Sequence, residues 1–208
     1  NSFTLKEVVI VEKQSATQYS TFNPINTEII SEKELQKAAC CNLSESFSTN
    51  ASVDVAFTDA VSGAKKIQML GLDGIYTQIL FENIPLIRGL SASYGINYIP
   101  GTWIDKIMVT KGTGSVVNGY ENISGQINLE FLKPLNSKTK LFVNVYTNEK
   151  GRAEVNTHHT KKINERWSML LFTHISDMSH KQDNNNDSFL DMPLTRQYNI
   201  FNRWNYHS

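Results

Sequence analysis

Residues 104–128 read Ile-Asp-Lys-Ile-Met-Val-Thr-Lys-Gly-Thr-Gly-Ser-Val-Val-Asn-Gly-Tyr-Glu-Asn-Ile-Ser-Gly-Gln-Ile-Asn. A short apolar strand carrying Ile107 and Val109 runs into Lys111-Gly112-Thr113-Gly114, and Gly119 follows seven residues after Gly112. Gly125 then opens a second strand over Gln126–Glu130. Glycine serves where φ must be positive or where backbone passes close to other atoms. Three of them between two strands predict a tight, non-helical hub. Phosphate binding does not fit, because Gly112-x-Gly114 lacks the third glycine of a dinucleotide fingerprint and no Gly-Lys-Ser/Thr ending is present.

This block resembles the C-terminal half of the plug domain of TonB-dependent outer-membrane receptors. Ile104, Asp105, Lys106 and Ile107 match the start of that pattern and Val109 its central strand. Lys111-Gly112 match its basic residue and glycine, and Ser115, Gly119, Gly125, Ile127 and Asn128 match the remainder. Met108, Thr113 and Asn118 depart from it, standing where an acid, a proline and a tyrosine are usual. Looser matches at Gln68-Met-Leu-Gly71 and Glu82-Asn83-Ile84-Pro85 extend the resemblance over about residues 5–134.

Composition sets outer bounds. With 208 residues, the chain holds one sizeable domain or two small ones. Its 20 basic and 20 acidic residues balance, so bulk electrostatics give no reason to expect nucleic acid. No apolar run approaches a membrane-spanning helix, which leaves barrel strands open because their alternation dilutes hydropathy. Cys40 and Cys41 are adjacent, unsuited to an ordinary disulfide and too few for a zinc site. They read as structural thiols.

Along the chain, residues 5–11 and 27–30 read as short strands. Ser31 to Glu34 has the form of a capping box opening a helix whose stripe is Leu35, Ala39, Leu43 and Phe47. Residues 50–61 are expected to hold a short helical turn. From Lys65 the pattern turns to strands, over 67–70, 76–81 and 85–89. After Pro134 the texture changes to strict alternation over 140–148, 152–160, 167–176 and 197–206. Leu141, Val143, Val145 and Thr147 share one face of the first of these, and Tyr198, Ile200, Trp204 and Tyr206 one face of the last. Segments of about ten residues with one apolar and one polar face suit a transmembrane barrel. A soluble sheet with one wet face gives the same alternation; the plug-like domain ahead of it favours the barrel. Four strands fall short of the roughly eight that close the smallest such barrels, so the sequence reads as an incomplete piece.

Three constellations carry no chemistry of their own. Asp183–Asp187 has Ser188 and Leu194 where a calcium-binding EF-hand loop needs glycine and glutamate, and reads as a surface loop. His158 and His174 fall on polar strand faces with no third ligand in view, so no metal or other cofactor is expected. No nucleophile elbow or zinc-protease helix appears, and no enzyme is expected.

The resemblance implies an α+β chain: a small mixed α/β plug domain over 1–134, then the first antiparallel strands of a transmembrane β-barrel over 135–208. It implies a place in the cell outer membrane, in contact with its lipid, and energised uptake of a small, scarce ligand such as a siderophore-type metal chelate. Leu5, Glu7, Val8, Val9, Ile10 and Val11 resemble the run that engages TonB by adding a strand to it; the same residues read equally as the plug's first strand. Loop 90–101, with Ser93, Tyr94, Asn97 and Tyr98, reads as the plug's ligand contact or as an ordinary packing loop. Lys111, Gly112, Gly119 and Gly125 form the hub. A passive pore and a soluble binding or adhesion module are the rival readings.

Overall fold

The fold was described from a computed structural model, which describes residues 17–19, 27–31, 34–35, 42–47, 50, 52–57, 63–114, 116–135, 137 and 139–207. Leu5–Val11 and the two cysteines lie outside these residues.

Six strands build the first sheet: β1 (Thr17–Tyr19), β2 (Thr27–Ser31), β6 (Thr77–Phe81), β7 (Ile84–Ile87), β8 (Ile104–Lys111) and β9 (Gly125–Phe131). Their spatial order is β1-β2-β8-β9-β6-β7. All pairs are antiparallel except β6 with β9. A smaller sheet joins β3 (Asp54–Phe57), β4 (Lys65–Met69) and β5 (Leu72–Asp73). Alternation sets the core. Ile107, Val109, Ile127, Leu129 and Ile79 from the large sheet are buried in one cluster with Leu43, Phe47, Ile67, Met69 and Ile96.

Two local readings are corrected here. The stripe from Leu35 to Phe47 does not lie on one continuous helix. Asn42 has extended dihedrals, φ −142° and ψ 168°, and caps a separate short helix, α1 (Leu43–Ser46), by accepting from the Glu45 amide at 3.1 Å. Asparagine offers the backbone this alternative bond, which is why it starts helices more readily than it continues them. Leu35, Leu43 and Phe47 are nevertheless all buried. Within the stretch 50–61, where a helical turn is expected, Asp54–Phe57 form the strand β3 instead, registered against β4 from Asp54↔Gln68 to Phe57↔Lys65, while 51 and 58–61 lie outside the described residues. Its partner lies beyond Gly63, and such non-local pairing overrides local propensity.

After Phe131 the chain leaves the large sheet and forms a separate four-stranded antiparallel meander. Its strands are β10 (Leu141–Thr147), β11 (Arg152–Lys162), β12 (Trp167–Met178) and β13 (Thr195–Tyr206). Each pairs with the next in unbroken register. Their polarity runs opposite to that of a water-soluble sheet. Leu141, Val143, Val145, Ile175, Tyr198, Ile200 and Trp204 face outward and are exposed, while Glu154, Asn156, His158, Ser168, His174 and Ser176 are buried on the inner face. Trp167, Trp204 and Tyr206 gather at one end of the outer face, with Trp167 5.0 Å from Tyr206 and 6.3 Å from Trp204 between ring centroids. The opposite end carries the tight turn 148–151 and the long connection 179–194. Among the described residues no helix is long and apolar enough to cross a membrane.

Candidate functional site

The inner face of the meander packs against the first domain along an aromatic seam. Trp103 and Phe131 of the first domain meet Phe172 and Phe201 of β12 and β13 at centroid distances of 5.3–6.4 Å, and Phe81 joins at 6.0 Å from Phe201. Below this seam the Arg203 guanidinium donates both ways to the Glu82 carboxylate, at 2.6 and 2.7 Å. Above it Arg152 of β11 donates to Glu45 of α1 at 2.8 Å. Asn199 and Gln197 donate to the Tyr98 carbonyl. Three levels of contact therefore hold the first domain to the wall.

The expected apex, 90–101, folds as consecutive 3-10 turns, Gly89–Ser93, Gly95–Tyr98 and Gly101–Trp103. Ser93 ends the first turn. Tyr94 and Tyr98 are exposed at 43% and 59%. Asn97 has another role. Its carboxamide donates to the carbonyls of Lys65 and Tyr94 at 2.9 and 3.1 Å, and accepts from the Lys65 amide and the Ser44 hydroxyl at 3.2 and 3.0 Å. With all four bonds satisfied inside the protein, Asn97 braces the loop against β4 and α1.

The hub lies where β8 ends. Gly112, Gly119 and Gly125 all have positive φ, 86°, 111° and 153°. Gly125 has a second constraint, because a Cβ there would run into the Thr110 carbonyl oxygen and the Met69 sulfur. Lys111 is exposed and pairs in register with Gly125. The hub is held by amides that sequence patterns did not single out. Gln126 donates to Gln78 at 2.9 Å, Asn118 donates to Gln126 at 3.2 Å, and Gln78 donates to the Asn118 carbonyl. Gln78 and Gln126 are 2% and 8% exposed, so these bonds are needed to offset desolvation. Alternation would have marked them only as polar positions on the face opposite Ile79 and Ile127. Gly125→Ala is expected to cost about 1–3 kcal/mol from backbone strain alone. Faster proteolysis of the first domain in the complete protein would show it, and unchanged proteolysis would refute it.

His158 and His174 both face inward. His174 Nδ1 lies 2.6 Å from the Asn156 carboxamide oxygen, and His158 stacks on Phe142 at 4.7 Å. No group of three potential metal ligands occurs among the described residues. Asp183 accepts from the amides of Asp187 and Ser188 at 3.1 and 3.0 Å, which closes a turn in the long connection.

An open cleft of about 640 Å³ lies between the apex and the wall, at the end carrying the long connection. Its lining includes Glu45, Phe57, Lys65, Tyr98, Lys150 and Arg152. Pro193 leans over Gly63 at its edge.

A domain held by an aromatic seam and flanking ion pairs to the inner face of a sheet whose apolar face points away from it has the arrangement of the plugged membrane barrels. Residues 20–126, just over half the chain, match the family model for the TonB-dependent Receptor Plug Domain. The chain belongs to that family. Solved structures share its fold. The ferric-catecholate import receptor Fiu of E. coli K12 aligns over 76% of this chain and 22% of its own, with 18% identity and a TM-score of 0.59. FpvA of P. aeruginosa, solved with a pyoverdine and iron, aligns over 77% and 21%, with 16% identity and a TM-score of 0.65. A variant of the ferric enterobactin receptor PfeA of Pseudomonas aeruginosa, solved with enterobactin, aligns over 86% and 30%, with 16% identity and a TM-score of 0.61. The chain thus spans less than a third of the length of these receptors. No curated protein matches it in sequence.

Proposed function

We propose that residues 1–134 are the plug and 135–208 the opening strands of the barrel of an outer-membrane receptor that takes up a scarce small ligand with energy delivered through TonB. The observation that carries this reading is the inverted polarity of β10–β13. A sheet that buries Glu154, Asn156 and His174 while exposing Val143, Val145 and Ile200 is stable only if its outer face meets hydrocarbon. A soluble adhesion module would place these rows the other way round. A passive pore would have no use for a domain bonded to its wall at three levels.

In this reading the outer face contacts outer-membrane lipid, the Trp167–Trp204–Tyr206 cluster lies at the periplasmic interface, and connection 179–194 reaches outward. Trp and Tyr are enriched at such interfaces, and long loops lie on the outer side. Tyr94 and Tyr98 are offered to the ligand, with Ser93 in the same apex; Asn97 supports them from behind. Leu5 to Val11 supply the strand that TonB takes. The structural neighbours named for ferric catecholates, pyoverdine and enterobactin support a metal chelate as the ligand.

The test uses the complete receptor. It should sediment with outer membranes and bind the periplasmic domain of TonB, and removal of residues 5–11 should abolish that binding. A receptor that remains in the soluble fraction, or binds TonB equally without residues 5–11, refutes the corresponding half of the proposal.

A further inference from the structure

We propose that the ring-bearing end of the wall selects an anionic phospholipid of the phosphatidylglycerol type, its phosphate held by Lys161 and Arg166 and its acyl chains running along Met169 and Leu171. This rests on the receptor reading above and adds to it the class of lipid that the outer face prefers at that end.

The hairpin between β11 and β12 fixes the geometry. Asn164 Oδ1 accepts from the amides of Arg166 and Trp167 at 3.0 and 2.7 Å. The Ile163 amide donates to the Trp167 carbonyl at 2.9 Å, and the His207 amide to the Arg166 carbonyl at 2.8 Å. Arg166 and Trp167 therefore leave the turn from a braced backbone. Lys161 lies in register with Met169, which pairs in turn with Trp204. That register makes Lys161 a diagonal neighbour of Trp167 on the outward face, within reach of a long side chain. Beside Trp167 an open cleft of about 300 Å³ is lined by Pro134, Leu135, Lys162, Arg166 and His207, with room for a headgroup.

Charge is distributed unevenly along the wall. Lys140, Lys161, Lys162 and Arg166 gather at the ring-bearing end, all exposed and without an ion-pair partner among the described residues. Glu165 is the acid of that turn. At the other end Arg196 is paired with Asp177 at 2.6 Å, and connection 179–194 sets Asp183, Asp187 and Asp191 against Lys181. Uncompensated positive charge thus sits where the Trp167, Trp204 and Tyr206 rings meet the interface.

Three occupants compete for such a place. A free phosphate would use the cations and leave the rings and the apolar row unused. That row continues from Met169 through Leu171 to the exposed Leu141 and Val143, which suits an attached acyl chain. A zwitterionic choline lipid would be drawn to the rings through its quaternary ammonium, but Lys161 and Arg166 would repel that same group. An anionic phospholipid satisfies rings, row and cations together. Depth agrees with this. The Lys161 row lies two residues, about 7 Å, inside the Trp167 row. A lysine so placed on a lipid-facing surface must stretch its ammonium out to headgroup level, where phosphates lie.

The experiment uses the complete receptor in neutral detergent, given equal concentrations of dihexanoyl phosphatidylglycerol and dihexanoyl phosphatidylcholine, with bound lipids counted by native mass spectrometry. The two probes share phosphate and chains and differ in the compensating ammonium. The native protein should hold at least one phosphatidylglycerol about tenfold more tightly than phosphatidylcholine. Lys161→Gln with Arg166→Gln should lose that lipid and bring the ratio within about threefold, whereas Lys161→Arg with Arg166→Lys should keep it. An excess of inorganic phosphate should not displace it. Equal retention of the two lipids, a preference unchanged by the double glutamine substitution, or displacement by inorganic phosphate overturns the proposal. A receptor that sediments with outer membranes but shows no preference loses this proposal alone. One that stays in the soluble fraction loses the reading on which it rests.

Discussion

Val9→Pro in the complete receptor is expected to weaken binding of the periplasmic domain of TonB by about 100-fold or more, a loss of about 3 kcal/mol. Strand addition works through backbone hydrogen bonds, so the side chains of Leu5, Glu7, Val8, Val9, Ile10 and Val11 matter less than their amides. Proline removes one donor and fixes φ, and is poorly tolerated within a paired strand. Val9→Ala keeps every amide and should stay within about threefold of the native affinity. Among the described residues β1 is the edge strand of the six-stranded sheet and pairs only with β2. If the run is instead a plug strand, Val9→Pro should speed proteolysis of the plug, and Val9→Ala and Val9→Pro should bind TonB alike. Affinity and proteolysis measured on the same three preparations separate these outcomes.

Much of the fold was legible because its signals are local. Gly112, Gly119 and Gly125 announce positive φ, and the alternation from Leu141 to Tyr206 gives the strands and their two faces. What alternation could not give was which face points inward, since a soluble and a membrane sheet share the period. That depends on partners far along the chain, such as Arg203 with Glu82, 121 residues apart, and Arg152 with Glu45, 107 apart. The two misread segments failed for related reasons. Leu35, Leu43 and Phe47 keep helical spacing across the break at Asn42 because all three are buried in the same core cluster. Residues 54–57 have no strong strand pattern until β4 pairs with them. Asn97 was legible as part of an apex loop, but its fourfold bonding to Ser44, Lys65 and Tyr94 was not. The Gln78–Gln126–Asn118 ladder was equally hidden, since amides on a sheet face look like solvent-facing residues until the hub closes over them.

The sign of one substitution decides between the two environments for the outer face. Ile200 is 77% exposed near the middle of β13, opposite Thr173 and in the row with Tyr198 and Trp204. In water, Ile200→Arg would change stability by no more than about 0.5 kcal/mol, and it would improve solubility by breaking an apolar patch. Against hydrocarbon the same change should cost about 2–4 kcal/mol at the bilayer midplane, because the guanidinium must be desolvated or must thin the membrane around it. The complete receptor carrying Ile200→Arg should therefore assemble less well in outer membranes and unfold at lower denaturant from lipid vesicles. Tyr206→Arg is the internal control. Tyr206 belongs to the same outward row but lies at its aromatic end, where a bilayer interface admits a charge at about 0–1 kcal/mol. A midplane penalty with a mild effect at the rim reports a depth gradient, which only a membrane imposes. Equal, small effects at both positions would mean that the exposed row faces water, and the barrel assignment would fall with it.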